Sequence, residues 1–398
     1  MSITNKKALL ALAIGGFGIG MTEFVIMGIL PDVAGALGIS IPQAGHFISA
    51  YALGVVVGAP LLTVVGNKCA PHKMLLYLMV WFTVFNTLSA FANNYNLLLF
   101  VRFLSGLPHG AFFGIGAVVA GKLAKEGKSA KAIATMFTGL TLANVIGVPL
   151  GTYVGHHFHW SISFLIVGVI GIITMLSIHF WMPAIERNKN QNIKSEFKVF
   201  KNLDFLGIVL LTTVGTGGFF AWYSYIAPLI TEEAGLSPNL VSYGMIIAGS
   251  GMVIGNFIGA KLAEIFFPLK AVIISLVAMV LMLLLNVVVA PTGIAVLVMT
   301  FIIGMVAFTV STPIQMAVIN SAKGSEMLGS SANQSAFNMG NASGAYLAGL
   351  PIALGFGYTS ASMVGAALAG SGVVLALVIL YFRNQKIAKE KIVLQNCK

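Results

Sequence analysis

Charge is what this sequence lacks. Of 398 residues only 11 are Asp or Glu and 22 are Lys or Arg; charged residues make up 8% of the chain and hydrophobic ones 58%. A water-soluble protein covers its surface with about a quarter charged residues, so a soluble fold is excluded. Cysteine is almost absent too. Cys69 falls in a short loop and Cys397 in the tail, both on the side assigned below to the cytoplasm, so no disulfide is expected. Neither an HExxH nor a GxSxG motif occurs, and no catalytic constellation is visible, so an enzyme is not expected.

What the chain has instead is long apolar runs. They recur at residues 8–30, 42–66, 74–92, 97–120, 131–154, 160–182, 203–226, 241–265, 271–290, 294–318, 327–352 and 358–382. Each is close to the roughly 20 residues that cross a bilayer as a helix. The expected fold is therefore an all-α polytopic membrane protein with twelve transmembrane helices. The opening MSITNKK and the run after it imitate a signal peptide, but that run is too long for one and more spans follow, so no cleavage is expected.

The net charge of +11 would suggest nucleic acid as partner in a soluble chain. Its placement gives a different reading. Lys6 and Lys7 precede helix 1; Lys68 and Lys73 lie between helices 2 and 3; Lys122, Lys125, Lys128 and Lys131 lie between 4 and 5. The insert at 186–202 holds five basic residues, Lys261 and Lys270 flank the 8–9 turn, Lys323 the 10–11 turn, and the tail holds the rest. All fall on one side of the expected membrane; the opposite loops contain no Lys or Arg. The positive-inside rule places both termini in the cytoplasm, with the basic linker and tail facing solvent and anionic lipid.

The chain also repeats. At an offset of 197 residues Gly58 matches Gly255, Pro71 matches Pro268, Lys73 matches Lys270, Asn144 matches Asn341 and Gly147 matches Gly344. Six helices per copy give parallel repeats about an axis along the membrane normal. The expected division is a six-helix bundle at 1–185, a linker at 186–202, a second bundle at 203–383 and a tail at 384–398. Glycines recur every fourth residue at 106, 110 and 114, at 147, 151 and 155, and at 251, 255 and 259; such stripes let helices approach closely, as static packing or as a sliding seam.

The phrases MTEFVIMGILPDVAGALGIS, GHFISAYALGVVVGAP and RFLSGLPHGAFFGIGAVVA resemble the major facilitator superfamily. More narrowly the chain resembles twelve-helix bacterial drug:proton antiporters, near the arabinose- and other sugar-efflux permeases. The resemblance implies a gating signature between helices 2 and 3, here Gly66, Lys68 and Lys73, with Asn67 near the place of the family's acid. The second copy keeps Gly259, Lys261 and Glu264. Glu264 is therefore expected to carry more of the cytoplasmic gating than its missing counterpart. The helix 5 antiporter signature is matched by Gly139, Asn144, Gly147, Pro149 and Gly151, with Val148 splitting the usual Gly-Pro pair. In relatives this segment accompanies export.

Charge inside the spans is rare enough to need a task. Glu23 lies in helix 1, about 22 Å along it from Ala8. Arg102 lies about 8 Å into helix 4, which runs the other way, so the two are expected at similar depth. His109 follows Arg102 by two turns on one face. The expected arrangement is a Glu23–Arg102 pair in which Glu23 takes the proton and His109 extends the path; a purely structural ion pair and a packed histidine are the alternatives. Gln334, Asn338 and Asn341 share a face of helix 11 and are candidate substrate contacts or interhelical glue. The helix 7 aromatics Phe219, Phe220, Trp222, Tyr223 and Tyr225 are a second candidate wall, part of it expected as an interfacial belt.

GKLAKEGKS at 121–129 mimics a phosphate loop but has five residues between its glycines where four are needed, so no ATP site is expected. His156, His157 and His159 cluster at an outer helix end without a nearby acid or thiol in sequence, which favours a turn over a metal site. The function expected is proton-coupled export of small organic molecules, of the drug or sugar class, by a monomer in the bacterial inner membrane. It needs no cofactor beyond the proton gradient and no nucleic-acid partner. A sugar or nucleoside exchanger or importer, and a transporter-like sensor, are the alternatives.

Overall fold

A computed structural model describes residues 3–66, 69–124, 129–186, 197–323 and 325–396, with backbone alone at 3–4, 129–131, 326–327 and 386–396. Asn67, Lys68, Lys125, Lys128, Arg187, Lys189, Lys194 and Cys397 lie outside the described residues.

Twelve long helical runs follow one another in the expected places: Ile3–Gly28, Ile41–Gly66, Pro71–Ser89, Tyr95–Leu123, Ser129–Leu142 continued through Val148–His157, Trp160–Trp181, Leu203–Tyr223, Asn239–Ile265, Pro268–Val289, Ala295–Thr309 continued by Ser311–Ser321, Glu326–Ala353 and Ser360–Asn396. They are called helices 1 to 12 below. Among the described residues, ten are long and apolar enough to cross a membrane. Helices 3 and 11 are the other two. Helix 3 opens on His72 and Lys73, and helix 11 is rich in Asn and Ser. Helix 12 does not stop at residue 382 but runs to Asn396; the Ala, Lys, Glu, Leu and Gln of that tail are good helix formers.

Four runs are interrupted, each one turn or less before a proline. The break at Ile29 precedes Pro31, and a short helix Leu30–Leu37 follows. A π turn at Ala143–Gly147 precedes Pro149. Helix 7 breaks at Ser224 and Tyr225 before Pro228, and helix 10 at Val310 before Pro313. Proline lacks an N–H and its ring crowds the carbonyl four residues back, so the strain appears there rather than at the proline. Pro60 and Pro108 sit inside unbroken helices.

The repeat is visible in packing. Pro71 and Pro268 each begin a helix. A Cβ at Gly54 or Gly58 would run into the carbonyls of Phe103 and Leu107 on helix 4; at Gly251 or Gly255 it would run into those of Phe301 and Met305 on helix 10. Only glycine lets these backbones meet at such separation. The largest apolar cluster joins helices from both six-helix sets, with Phe24 and Phe47 packed together with Phe220, Trp222 and Met245.

Two seams join the sets. Along helices 2 and 11, Thr63 Oγ1 lies 3.5 Å from Ser331 Oγ, Ser335 Oγ donates to the Val56 carbonyl at 3.3 Å and Ser49 Oγ to that of Ala342 at 3.0 Å. The Tyr225 hydroxyl donates to the Ala345 carbonyl at 2.9 Å, its tip seated between Gly45 and Gly349. Along helices 5 and 8, Gly249 sits against the Asn144 carbonyl.

Candidate functional site

Arg102 is fully buried in helix 4. A guanidinium away from water needs its donors met. Nη1 donates to Thr22 Oγ1 at 3.0 Å and Nη2 to the Thr22 carbonyl at 3.1 Å. Thr22 Oγ1 in turn donates to Asn86 Oδ1, and Asn86 Nδ2 donates to the Phe82 carbonyl at 2.8 Å. The guanidinium carbon stands 4.4 Å from the centre of the Tyr51 ring and 5.4 Å from that of Phe164, within cation–π range. Helices 1, 2, 3, 4 and 6 thus converge on one charge.

The expected Glu23–Arg102 ion pair is not formed. The ion pairs among the described residues are His156–Asp32 and Arg383–Asp204. Thr22 and Glu23 are neighbours on a helix and point about 100° apart: Thr22 turns to Arg102, and Glu23 turns to the second set of helices. There its side chain is within interaction range of Asn341 on helix 11, although neither atom of that carboxamide closes a hydrogen bond. Glu23 is 6% exposed. Arg102 stays within its electrostatic reach.

His109 lies two turns along helix 4, as expected, and the connection to Arg102 runs through a residue the sequence reading missed. The Tyr51 hydroxyl is 3.1 Å from His109 Nδ1, and the same ring carries Arg102 on its face. Nothing in the spacing of helix 2 singles out Tyr51; a buried Tyr that must satisfy its hydroxyl is the only sequence-level hint. Thr22 and Asn86 were missed as Arg102 partners for the same reason.

Helices 7 and 11 form the facing wall. Phe24 lies parallel to Phe220 at 6.4 Å and edge-on to Tyr223 at 5.9 Å; Phe219 stacks on Tyr223 at 4.9 Å. All five helix 7 aromatics are buried, so no part of this run is an interfacial belt. The helix breaks just past Tyr223, and Tyr225 is carried inward to the seam. The Tyr223 hydroxyl donates to Met245 Sδ at 3.3 Å. Trp222 Nε1, Asn338 Oδ1 and both polar atoms of Asn341 are buried without a partner. Asn338 Nδ2 donates to the Gln334 carbonyl at 3.1 Å, and Gln334 is half-buried. Asn333 behaves as glue, donating to Gln315 Oε1 at 2.5 Å and accepting from Thr212 Oγ1 at 3.2 Å.

The helix 5 signature residues mostly face helix 1. Gly139 lies against the Ala13 carbonyl, Gly147 against the Phe17 ring and Gly151 against Val25 and Met21. Asn144 sits in the π turn; its Nδ2 donates to the Leu140 carbonyl at 3.1 Å and its Oδ1 is unpaired. The residues expected to gate the basic end are not joined. Lys73, Lys261 and Glu264 are exposed and make no ion pair among the described residues, while Gly66 packs against Met74 and Ile115 and Gly259 against the Thr309 carbonyl. Lys68 lies outside the described residues. Between helices 2 and 11 the Thr63 and Ser331 hydroxyls meet at 3.5 Å, and no ionic latch forms among the described residues. At the far end the histidine cluster has an acid after all: Asp32, distant in sequence, lies 2.9 Å from His156 Nδ1.

Comparison with known proteins agrees with this architecture. The chain is 38% identical over 381 residues to the Escherichia coli (strain K12) protein AraJ, named as a transporter, with 96% of each chain covered. It is 41% identical over 380 residues to the inner membrane transport protein YdhP of the same strain, covering 95% of this chain and 96% of the relative. It is 35% identical over 352 residues to the MFS-type transporter YtbD of Bacillus subtilis (strain 168), covering 87% and 89%. The Major Facilitator Superfamily model matches residues 12–344. With twelve long helices, a shared core between two six-helix sets and relatives named as transporters over nearly its whole length, this chain belongs to the major facilitator superfamily and is a multi-pass membrane transporter.

Proposed function

We propose that the chain is a proton-coupled exporter of small organic molecules, of the drug or sugar class, working by alternating access. The observation that carries this reading is Glu23. Among the described residues it is the one buried carboxyl, it sits where the two helix sets meet, within interaction range of Asn341 and Arg102, and it makes no ion pair. An ionised carboxylate in such a place is costly, and taking up a proton removes the cost. A group that is sealed here and wetted when the seams part is suited to carry a proton across.

The wall opposite Glu23 supports the substrate class. Phe219, Phe220 and Trp222 offer apolar ring surface, and Trp222 Nε1, Asn338 and Asn341 offer hydrogen-bonding atoms that now have no partner. That set fits a neutral or weakly polar molecule better than a multiply charged one. In this reading residues 1–185 and 203–383 are the two bundles that rock about the site, both termini face the cytoplasm, and the bacterial inner membrane holds a monomer.

Export is tested in everted membrane vesicles energised to acid inside. The substrate panel comes from growth inhibition in an efflux-deficient host. Substrate addition is expected to release protons from vesicles with the wild-type chain and not from those with Glu23→Gln. Uptake by everted vesicles that is unchanged when the pH gradient is collapsed would overturn proton coupling, and accumulation only in right-side-out vesicles would overturn export.

A further inference from the structure

Helix 11 touches two helices on two distinct faces. Gly340 meets Thr213 and Gly217 of helix 7, and Gly344 meets Gly217 and Ala221. On the other side Ser331, Ser335 and Ala342 meet helix 2. At a turn of about 100° per residue, Asn341 falls between Gly340 and Ala342, so its side chain leaves helix 11 midway between helices 7 and 2. Helix 1 brings Glu23 to that place, and the two side chains are within interaction range.

The carboxamide of Asn341 is also set differently from those of other buried asparagines. Asn86, Asn144 and Asn338 each return Nδ2 to the carbonyl four residues earlier, at 2.8, 3.1 and 3.1 Å. Asn144 is the match of Asn341 in the repeat, yet Asn341 does not turn back to its own helix. It is 1% exposed, and neither of its polar atoms has a partner. A buried amide left so costs free energy until an acceptor reaches it. The Glu23 carboxyl, buried and without an ion pair, is the acceptor at hand.

We infer that Asn341 is a positioning residue for Glu23: its Nδ2 amide, supplied by the opposite helix set, serves the Glu23 carboxyl, so the hold of Glu23 on a proton depends on whether helix 11 is docked. The inference rests on Glu23 as the proton site of the proposed function. A hydrogen bond to an ionised acceptor is about twice as strong as one to a neutral group, so a docked amide favours release of the proton. When the seams part, the amide leaves with helix 11. Oδ1 of Asn341 stays free for the substrate wall.

The other groups around Glu23 are committed elsewhere. Arg102 and Tyr51 are within its electrostatic reach. Arg102 gives Nη1 and Nη2 to Thr22, and the Tyr51 hydroxyl lies 3.1 Å from His109 Nδ1. Tyr223 donates to Met245 Sδ. On helix 5 Tyr153 stacks on His157, and on helix 11 Tyr346 lies against His46. Helix 3 has no titratable side chain after Tyr77, helix 6 none before His179 and helix 8 none between Tyr243 and Lys261.

The test is infrared difference spectroscopy of the full chain in lipid nanodiscs, titrated in pH. The carboxyl C=O band that Glu23→Gln abolishes reports the proton on Glu23. Asn341→Leu, close in volume and without an amide, is expected to move the midpoint of that band to higher pH by about one unit, a tenfold gain in proton affinity, and to shift its frequency. Asn341→Val makes the same measurement should the leucine variant fail to fold. Ser343, on another face of helix 11, donates to the Met339 carbonyl at 2.8 Å; Ser343→Ala is expected to leave midpoint and frequency unchanged. Monodisperse elution and a cooperative melt qualify each variant as folded. A midpoint that stays in place or moves to lower pH in a folded Asn341 variant would overturn the inference alone. Absence of any band lost in Glu23→Gln would overturn it together with the reading of Glu23 as the proton site.

Discussion

Arg102 gives both terminal nitrogens to Thr22, at 3.0 and 3.1 Å, while Glu23, the next residue, takes neither. The division separates a structural anchor from a carboxyl without an ion pair on consecutive positions of one helix. Thr22→Val is therefore expected to leave a buried guanidinium short of a partner and to cost about 2–4 kcal/mol of stability, read as a fall in melting temperature in detergent. Glu23→Gln is expected to keep the melting temperature and lose proton-driven transport. A reversed pattern would show that Glu23 is the anchor.

Tyr51 touches both Arg102 and His109. Tyr51→Phe keeps the ring under the guanidinium and removes the hydroxyl. One hydrogen bond of about 1 kcal/mol corresponds to roughly a fivefold change. The expected outcome is a several-fold slower proton-driven flux in a chain of near wild-type stability. Tyr51→Ala is expected to lose the ring contact as well, with about 3–5 kcal/mol of destabilisation.

Gly249 meets the Asn144 carbonyl across the helix 5–8 seam. A methyl there overlaps backbone, which does not yield as a flexible side chain does, and overpacking costs about 1–3 kcal/mol. Gly249→Ala is expected to disfavour the closed arrangement rather than unfold either set. Spin-label distances across the seam should lengthen. At Gly35, where a Cβ meets nothing within 4 Å, the same substitution should leave them unchanged.

Arg383 grips Asp204 through Nε and Nη2, both at 2.6 Å, tying the start of helix 7 to helix 12. Both side chains are about one-third exposed, so the pair is screened and worth about 0–1 kcal/mol. Asp204→Asn is expected to lower the melting temperature by a few degrees at most at low salt and by nothing measurable at 0.5 M NaCl.

The amino-acid sequence by itself determined the twelve apolar runs, roughly where each falls along the chain and which loops carry the basic residues, but not the breaks within four of them or the extension of helix 12 to Asn396. Those properties depend on counting apolar residues and placing lysines, which need no partner to be read. It also marked Glu23, Arg102, His109 and Asn341, because polar groups in apolar runs stand out against their own neighbours. The prolines that break helices 1, 5, 7 and 10 were in view, yet Pro60 and Pro108 look the same in sequence and break nothing. Whether a proline interrupts a helix depends on what packs around the freed carbonyl.

Tertiary structure alone decided the pairings. Arg102 found Thr22 instead of Glu23, since a turn of about 100° between neighbours sends them to different partners. Asp32 met His156, 124 residues away, because helices 1 and 5 end side by side. Tyr225 reached the seam with helix 11 just past the break in helix 7, where its hydroxyl meets the Ala345 carbonyl. Depth along a helix follows from residue number and rise. The direction a side chain faces, and what waits there, is fixed only when the other helices have packed.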